Sequence, residues 1–199
     1  GRLGLLPGPA DGPLWRFGPS ASGLMIETER LILRRWREDD RPAFHAICAD
    51  PQVMDWLGGV LAPDEADVRL ARVEATFDQR GYGRFCVERR ADGAVLGWCG
   101  VMPAHESQPV AGTPEIGWRL VPAAWGQGYA TEAAAAVLAD AFQRVGLAEV
   151  WAYTSPHNLR SQAVMGRLGL TRRPDLDFEN PNAALDDPFR PAWVWVATQ

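Results

Sequence analysis

Residues 114–145 read PEIGWRLVPAAWGQGYATEAAAAVLADAFQRV, and a change of period inside this stretch decides the fold. From Pro114 to Val121, Glu115, Gly117 and Arg119 alternate with Ile116, Trp118 and Leu120, the two-residue repeat of a strand. From Thr131 the apolar side chains of Ala134, Val137, Leu138, Ala141, Phe142 and Val145 recur on one helical face, which predicts a helix to Val145. Between the two lies WGQGYATE, residues 125–132, a tight glycine loop. A strand passing through such a loop into a helix aims several backbone N–H groups one way. The helix N-terminus adds partial positive charge, which suits an anion and typically a phosphate. Gly128 lets the backbone come close to that anion. The plainer reading, two glycines making a strand-to-helix turn, is equally compatible with the loop taken alone.

Working outward, Glu149–Thr154 predicts a strand, Asn158–Leu168 a helix stopped by Gly169, and Trp193–Ala197 a last strand beyond a Pro-rich loop. Upstream, Arg84–Arg90 and Val95–Met102 form a hairpin around Asp92-Gly93. Asp64 opens a helix through Val68, Ala71 and Ala75 to about Gln79, closed by Gly81, and Asp39-Asp40 before Pro42 opens another that ends near Asp50. Ile26–Trp36 (IETERLILRRW) carries a β-rich run. The order β, α, α, β, β, β, α, β, α, β describes an α/β (α+β) chain, one mixed sheet with helices on both faces. Residues 1–23, rich in Gly and Pro and without periodicity, are expected to be a flexible leader, which places the domain at 24–199. Their Pro and Gly also interrupt any signal-peptide core.

Composition removes other classes. The 199 residues carry 20 basic and 25 acidic side chains, a formal charge of −5, which argues against nucleic acid as a partner and favours cationic acceptors. Every basic residue is an arginine, and without lysine there is no P-loop, no pyridoxal Schiff base and no protein-kinase strand lysine. Cys48, Cys86 and Cys99 form no CxxC pair and have no histidine at ligand spacing, so no metal is expected and a reducing, cytoplasmic compartment is. No apolar run approaches the ~20 residues of a membrane span.

Four blocks in order, ETERLILRRW, PEIGWRLVP, WGQGYATEA and NLRSQAVMGRLGL, together resemble the GNAT superfamily of N-acetyltransferases. Within it they are most similar to the branch of ribosomal-protein N-terminal (RimJ/RimL-like) acetyltransferases, over about residues 27–196. The family's pyrophosphate motif, Arg/Gln-x-x-Gly-x-Gly/Ala, falls on residues 125–130, with Trp125 where the pattern has Arg or Gln. The resemblance implies a GNAT fold whose fourth and fifth strands splay apart, with acetyl-coenzyme A as cosubstrate. It implies that the pyrophosphate lies on the amides of Gly126, Gln127, Gly128, Tyr129, Ala130 and Thr131, and the pantetheine arm along the strand ending at Leu120 and Val121. A backbone N–H near Leu120 would polarise the acetyl carbonyl. Asn158 is implied as a pantetheine contact, beside its alternative as a simple N-cap. Ser161 is implied beside the sulfur, where its hydroxyl stabilises or protonates the leaving thiolate.

The reaction expected from the resemblance is acetyl transfer to a primary amine, a protein N-terminus or a small amine, by direct attack in a ternary complex of a monomer or homodimer. Glu115 is the candidate base, probed against the alternative of an ion pair with Arg119 on the same strand face. A competing class, a non-catalytic acetyl-coenzyme A sensor, is favoured by one absence. Many relatives carry a tyrosine after the Asn158 helix as general acid, and here the chain reads Leu170-Thr171-Arg172-Arg173. A thiolate can leave without an acid, so the enzyme reading stands. Ser155-Pro156-His157 lacks a nucleophile elbow, and the three histidines read as structural. Of nine tryptophans, those in strands read as core, while Trp36 and Trp56 are candidates for the acceptor pocket.

Overall fold

The computed structural model describes residues 16–20, 23–54 and 59–199, with side chains from 24 onward. In chain order its elements are β1 (Arg16–Ser20), β2 (Gly23–Glu27), β3 (Leu31–Arg34), α1 (Arg41–Ala49), α2 (Pro51–Met54), α3 (Pro63–Arg80), β4 (Arg84–Arg89) and β5 (Val95–Pro103). They continue with β6 (Pro114–Leu120), α4 (Tyr129–Asp140), β7 (Glu149–Thr154), α5 (Leu159–Arg167), β8 (Thr171–Arg172), β9 (Phe178–Glu179) and β10 (Pro191–Thr198). The sheet runs β1-β2-β3-β4-β5-β6-β7-β10, with β8 and β9 on the outer edge of β10.

Among the described residues, the pairing of β6 with β7 is the sole parallel one, and α4 is its crossover. Those two strands pair only where Glu115 meets Trp151. Beyond that point, toward Leu120 and Thr154, they separate, which is the expected splay. Helices cover the sheet on both faces. The α4 helix lies over β3, β5 and β6, while α1 packs on α3 and on β5, where Phe44 meets Trp98 with ring centroids 5.6 Å apart. α4 is buried almost all round, and its C-terminal residues Ala141–Val145 wind as a wider π turn before Gly146.

Three expectations need correction. The run IETERLILRRW is a hairpin rather than one strand. Thr28 interrupts it, its N–H donating to the Leu31 carbonyl (2.9 Å) and its Oγ1 accepting from the Leu31 N–H (3.0 Å), a local side-chain turn that competes with extended backbone. The second concerns the expected leader, whose residues 16–20 pair antiparallel with β2 and extend the sheet; residues 1–15 and 21–22 lie outside the described residues. The third concerns the inward face of α3. Val68 is 73% exposed, and the buried stripe is Ala66, Val73, Thr76 and Phe77 with Arg69 half-buried among them. A guanidinium and a hydroxyl on the inner face hide the apolar period that sequence inspection relies on.

Packing around α1 rests on a buried charge network. Arg34 on β3 forms a two-pronged pair with Asp40 (2.6 and 2.9 Å) and reaches Glu88 on β4 (2.7 Å), with both Arg34 and Asp40 under 10% exposed. Asp40 also accepts the Arg37 amide at 2.7 Å, so one carboxylate fixes the turn into α1. Burial alone would raise the Asp40 carboxyl, but the bonds from Arg34 and Arg37 outweigh it and hold it below its ordinary value.

Candidate active site

The loop from β6 to α4 turns on Gly126 (φ +72°) and Gly128 (φ +82°), both in the left-handed region that favours glycine. Gly128 is the N-cap of α4 and offers no side-chain cap, and the first capping bond is Glu132 N–H to the Gly128 carbonyl (3.0 Å). Among the described residues, the N–H groups of Gly126, Gly128, Tyr129, Ala130 and Thr131 have no acceptor within the protein, while that of Gln127 is directed back across the tight turn at Trp125 (φ −70°, ψ 154°) and Gly126. Five free donors at a helix N-terminus fit a diphosphate.

Arg30, in the turn between β2 and β3, holds the loop in this shape. Its Nη1 donates to the Gln127 carbonyl (2.9 Å), its Nε pairs with Glu132 (2.7 Å), and its guanidinium lies 4.4 Å over the Tyr129 ring. Thr28 Oγ1 donates to the same Glu132 carboxylate at 2.6 Å. Gln127 turns its side-chain amide back to the Ala123 carbonyl (2.7 Å), away from the free loop amides. Trp125, which departs from the family motif, ties the loop to the strand instead: its indole N–H donates to the Leu120 carbonyl (2.7 Å), and Arg160 of α5 stacks 4.5 Å above it.

Strand alternation shows which amides of β6 are left unpaired. The Val121 N–H is bonded to the Leu96 carbonyl at 2.8 Å, so in the antiparallel ladder residues 121, 119, 117 and 115 turn their backbone groups to β5. Residues 116, 118 and 120 turn theirs to β7, where pairing ends after Glu115. The amides of Trp118 and Leu120 therefore face the open cleft, as expected near Leu120. Val121, expected among the contacts, has its N–H committed to β5.

Glu115 sits at the closed end of the cleft with its side chain 13% exposed. Its Oε2 accepts from the Tyr153 hydroxyl (3.0 Å) and its Oε1 lies 3.7 Å from Arg84 Nη2. The expected partner Arg119 shares the strand face but donates to the Val53 carbonyl (3.1 Å) instead. Burial raises the Glu115 carboxyl above its ordinary value, although the charges of Arg84, Arg119 and Arg72 and the Tyr153 bond oppose it. Burial and the neighbouring carboxylate push the Tyr153 hydroxyl up as well, so it stays protonated and donates. A Cβ at Gly117 would stand 3.6 Å from Arg84 Nη2, an ordinary van der Waals contact, so Arg84 lies directly against this strand position.

Asn158 caps α5, its Oδ1 accepting from the Ser161 N–H (3.2 Å), so the N-cap reading is realised while its side-chain amide makes no hydrogen bond to the described residues. Ser161 is half-buried in the first turn of the same helix. His45 bonds Asp67 (2.7 Å) and His105 bonds Ser107 (2.7 Å), while Ser155 is tied to the His157 amide (3.2 Å). Among the described residues no cluster of three His, Cys, Asp or Glu could hold a metal, and no helix is long and apolar enough to cross a membrane. Trp36 lines a recess beside the site and Trp56 lies outside the described residues. Sequence inspection missed Arg30 and Arg84, and set Tyr153 aside as no substitute for the missing general-acid tyrosine. Tyr153 was within reach, because the β7 alternation puts it on the face of Trp151, opposite Glu115; nothing local marks the two arginines.

Comparison with known proteins agrees with this geometry. Residues 30–171 match the sequence profile of the family described as "Acetyltransferase (GNAT) domain". The chain is 32% identical over 153 residues to FsC-acetyl coenzyme A-N(2)-transacetylase of Aspergillus fumigatus, covering 73% of this chain and 64% of that protein's length. The crystal structure of an acetyltransferase from Agrobacterium tumefaciens superposes with a TM-score of 0.72 at 29% identity, over 88% of this chain and 94% of the other. RimL, a ribosomal L7/L12 alpha-N-protein acetyltransferase solved with coenzyme A, shares the fold with a TM-score of 0.69 at 17% identity, over 86% and 95% of the two chains. The matched profile begins at the arginine that clamps the glycine loop and ends beyond α5, and the chain belongs to the GNAT family of acetyltransferases.

Proposed function

We propose that the protein transfers acetyl from acetyl-coenzyme A to a primary amine that enters the cleft between β6 and β7. The observation that carries this reading is continuity. Five free amides, at residues 126 and 128–131, lead through the unpaired edge of β6 to a buried carboxylate at Glu115. The loop amides bind and orient the diphosphate, and the Trp118 and Leu120 amides stand ready to donate to the acetyl oxygen as negative charge develops on it. Glu115 takes a proton from the attacking amine through a water molecule, and the Tyr153 bond fixes the orientation of its carboxylate. Asn158 contacts the pantetheine arm with its free amide, and Ser161 stabilises the departing thiolate. The buried free thiols Cys48, Cys86 and Cys99 suit action in a reducing cytoplasm.

The test is calorimetric titration with acetyl-coenzyme A, followed by a free-thiol assay across peptide N-termini, amino acids, polyamines and aminoglycosides. Binding with acceptor-dependent thiol release is expected. Binding that never yields thiol release with any amine would reduce the protein to a sensor of its ligand.

A further inference from the structure

The acceptor side of the sheet carries a concentration of arginine for which the acetyl donor has no use. Beside Glu115 a recess is lined by Trp36, Phe44, Arg69, Val73, Arg84 and Trp98. Arg69 enters it from the inner stripe of α3 and has no ion pair or hydrogen bond among the described residues. Glu65, one turn earlier, gives its carboxylate to the Ala62 amide (2.8 Å). Arg84 enters from β4, and its Nε is buried without any acceptor. Arg119 completes the group, 5.5 Å over the Trp98 ring. Arg69 thus adjoins Arg84 and Arg119, and those two in turn act on Glu115, which comes within 3.7 Å of Arg84.

We propose that this recess binds an anionic group of the acceptor, a carboxylate foremost, so that the substrates are amines carrying an acidic group a few bonds from the nitrogen. The proposal rests on the acetyltransferase reading and names the substrate class of that same site. A buried donor without an acceptor costs free energy that a bound carboxylate recovers, and a planar guanidinium recognises a carboxylate with two parallel bonds. The apolar walls of Trp36, Phe44 and Val73 exclude water and strengthen the attraction. Like charge adds to the argument. Burial, with Arg84 and Arg69 nearby, pushes Arg119 down to about 9, a strain that an anion in the recess relieves. With the acid anchored there, the amine is turned toward Glu115 and the open end of the cleft.

Matched acceptors test this. Glycine and phenylalanine are compared with their carboxamides, and peptides with Asp or Glu in second position with the Asn or Gln peptides, so that small acids and acidic N-termini are separated. Rates are corrected for the neutral fraction of each amine, and 1,4-diaminobutane serves as the cationic comparison. A carboxylate preference in kcat/KM of about ten- to a hundredfold is expected in at least one arm, as for a hydrogen bond to a charged group. It should fall toward unity in Arg69→Gln. Because a structural defect would lower both members alike, the ratio is the decisive readout. In parallel, protein saturated with coenzyme A is titrated calorimetrically with the acetylated member of each pair, which should show the same ratio without turnover. Acetyl-coenzyme A binding with no carboxylate preference in either readout overturns the proposal and leaves the transferase standing. Failure to bind acetyl-coenzyme A overturns the reading beneath it.

Discussion

Replacing Glu115 by Gln separates its role as a base from its role in packing. Gln is isosteric and keeps an oxygen to accept the Tyr153 hydroxyl bond at 3.0 Å, so the local geometry persists. What is lost is the ability to take a proton, and with it the single negative charge facing Arg84. General-base catalysis contributes roughly 10²- to 10⁴-fold, so the barrier should rise by about 3–5 kcal/mol. The sign of the pH dependence follows from the raised carboxyl. The parent enzyme needs Glu115 ionised, so its kcat/KM should fall as pH drops through a value above the ordinary glutamate range of about 4.3. In Glu115→Gln that limb disappears, and the residual rate follows the neutral fraction of the acceptor amine. The deficit should therefore shrink as pH rises toward the amine's own pKa. The assay is initial thiol release at saturating acetyl-coenzyme A over the pH range in which both proteins stay folded. A variant whose profile parallels the parent at every pH, with only a raised KM for acceptor, would refute the base role and leave Glu115 as an acceptor ligand or an ion-pair partner.

Gly128→Val should keep the fold but abolish acetyl-coenzyme A binding. Its φ of +82° is strained for a β-branched residue by about 1–3 kcal/mol, and its Cβ would stand 3.4 Å from Arg30 Nη2; unchanged affinity by calorimetry would contradict the phosphate-loop assignment. Ser161→Ala should lower kcat while leaving acetyl-coenzyme A affinity nearly unchanged, since an interaction with the thiolate strengthens only as charge develops; an equal loss in both would make Ser161 a binding residue. Asp40→Ala leaves the buried Arg34 with Glu88 as its remaining ion-pair partner, at a cost of about 1.5–3 kcal/mol, or a fall in Tm of roughly 3–12 °C for a chain of this size. Because the Asp40 carboxyl is depressed in the fold, its contribution is fully present above the unfolded value of about 3.9 and is lost as pH falls through the folded one, so urea midpoints of parent and variant should converge in acid.

The parts of the fold that were legible in the sequence are those where one period dominates. The alternation of β6 and the turn-forming Asp92-Gly93 gave strands at Pro114–Leu120, Arg84–Arg89 and Val95–Pro103 with ends within a residue of expectation. The α4 helix was equally plain, although it begins two residues earlier, at Tyr129, because Gly128 already caps it. Where side chains bond to nearby backbone, or where a polar group faces inward, the period misleads. Thr28 folds a turn into a run of β-formers, and Arg69 and Thr76 on the inner face of α3 shift attention to Val68, which is exposed. The glycine loop was legible because its function resides in consecutive backbone groups. The Arg30 clamp was not, because it joins residues about a hundred positions apart.

Charge is where the chain-wide expectation of a cationic acceptor and the proposed recess make opposite predictions. A net charge of −5 favours cationic acceptors only if the excess acid is felt where the acceptor binds. Exposed charges are screened beyond about 8 Å at physiological ionic strength, whereas buried ones act at full strength over the few ångströms that matter. Much of the acid in this chain lies in exposed pairs such as Arg89 with Asp92 and Arg173 with Asp175, which cancel locally and contribute little at a distance. Around the proposed recess the sum is different, with Arg69, Arg72, Arg84 and Arg119 against Glu65 and Glu115, and it is positive. On the reading proposed above, an acceptor that enters this cleft meets the local field before the global one, and a polyamine meets guanidiniums on its way to Glu115. A salt titration distinguishes the two: if the global field governs, raising ionic strength should weaken a diamine's kcat/KM, whereas if the recess governs, the diamine's kcat/KM should rise as its repulsion is screened.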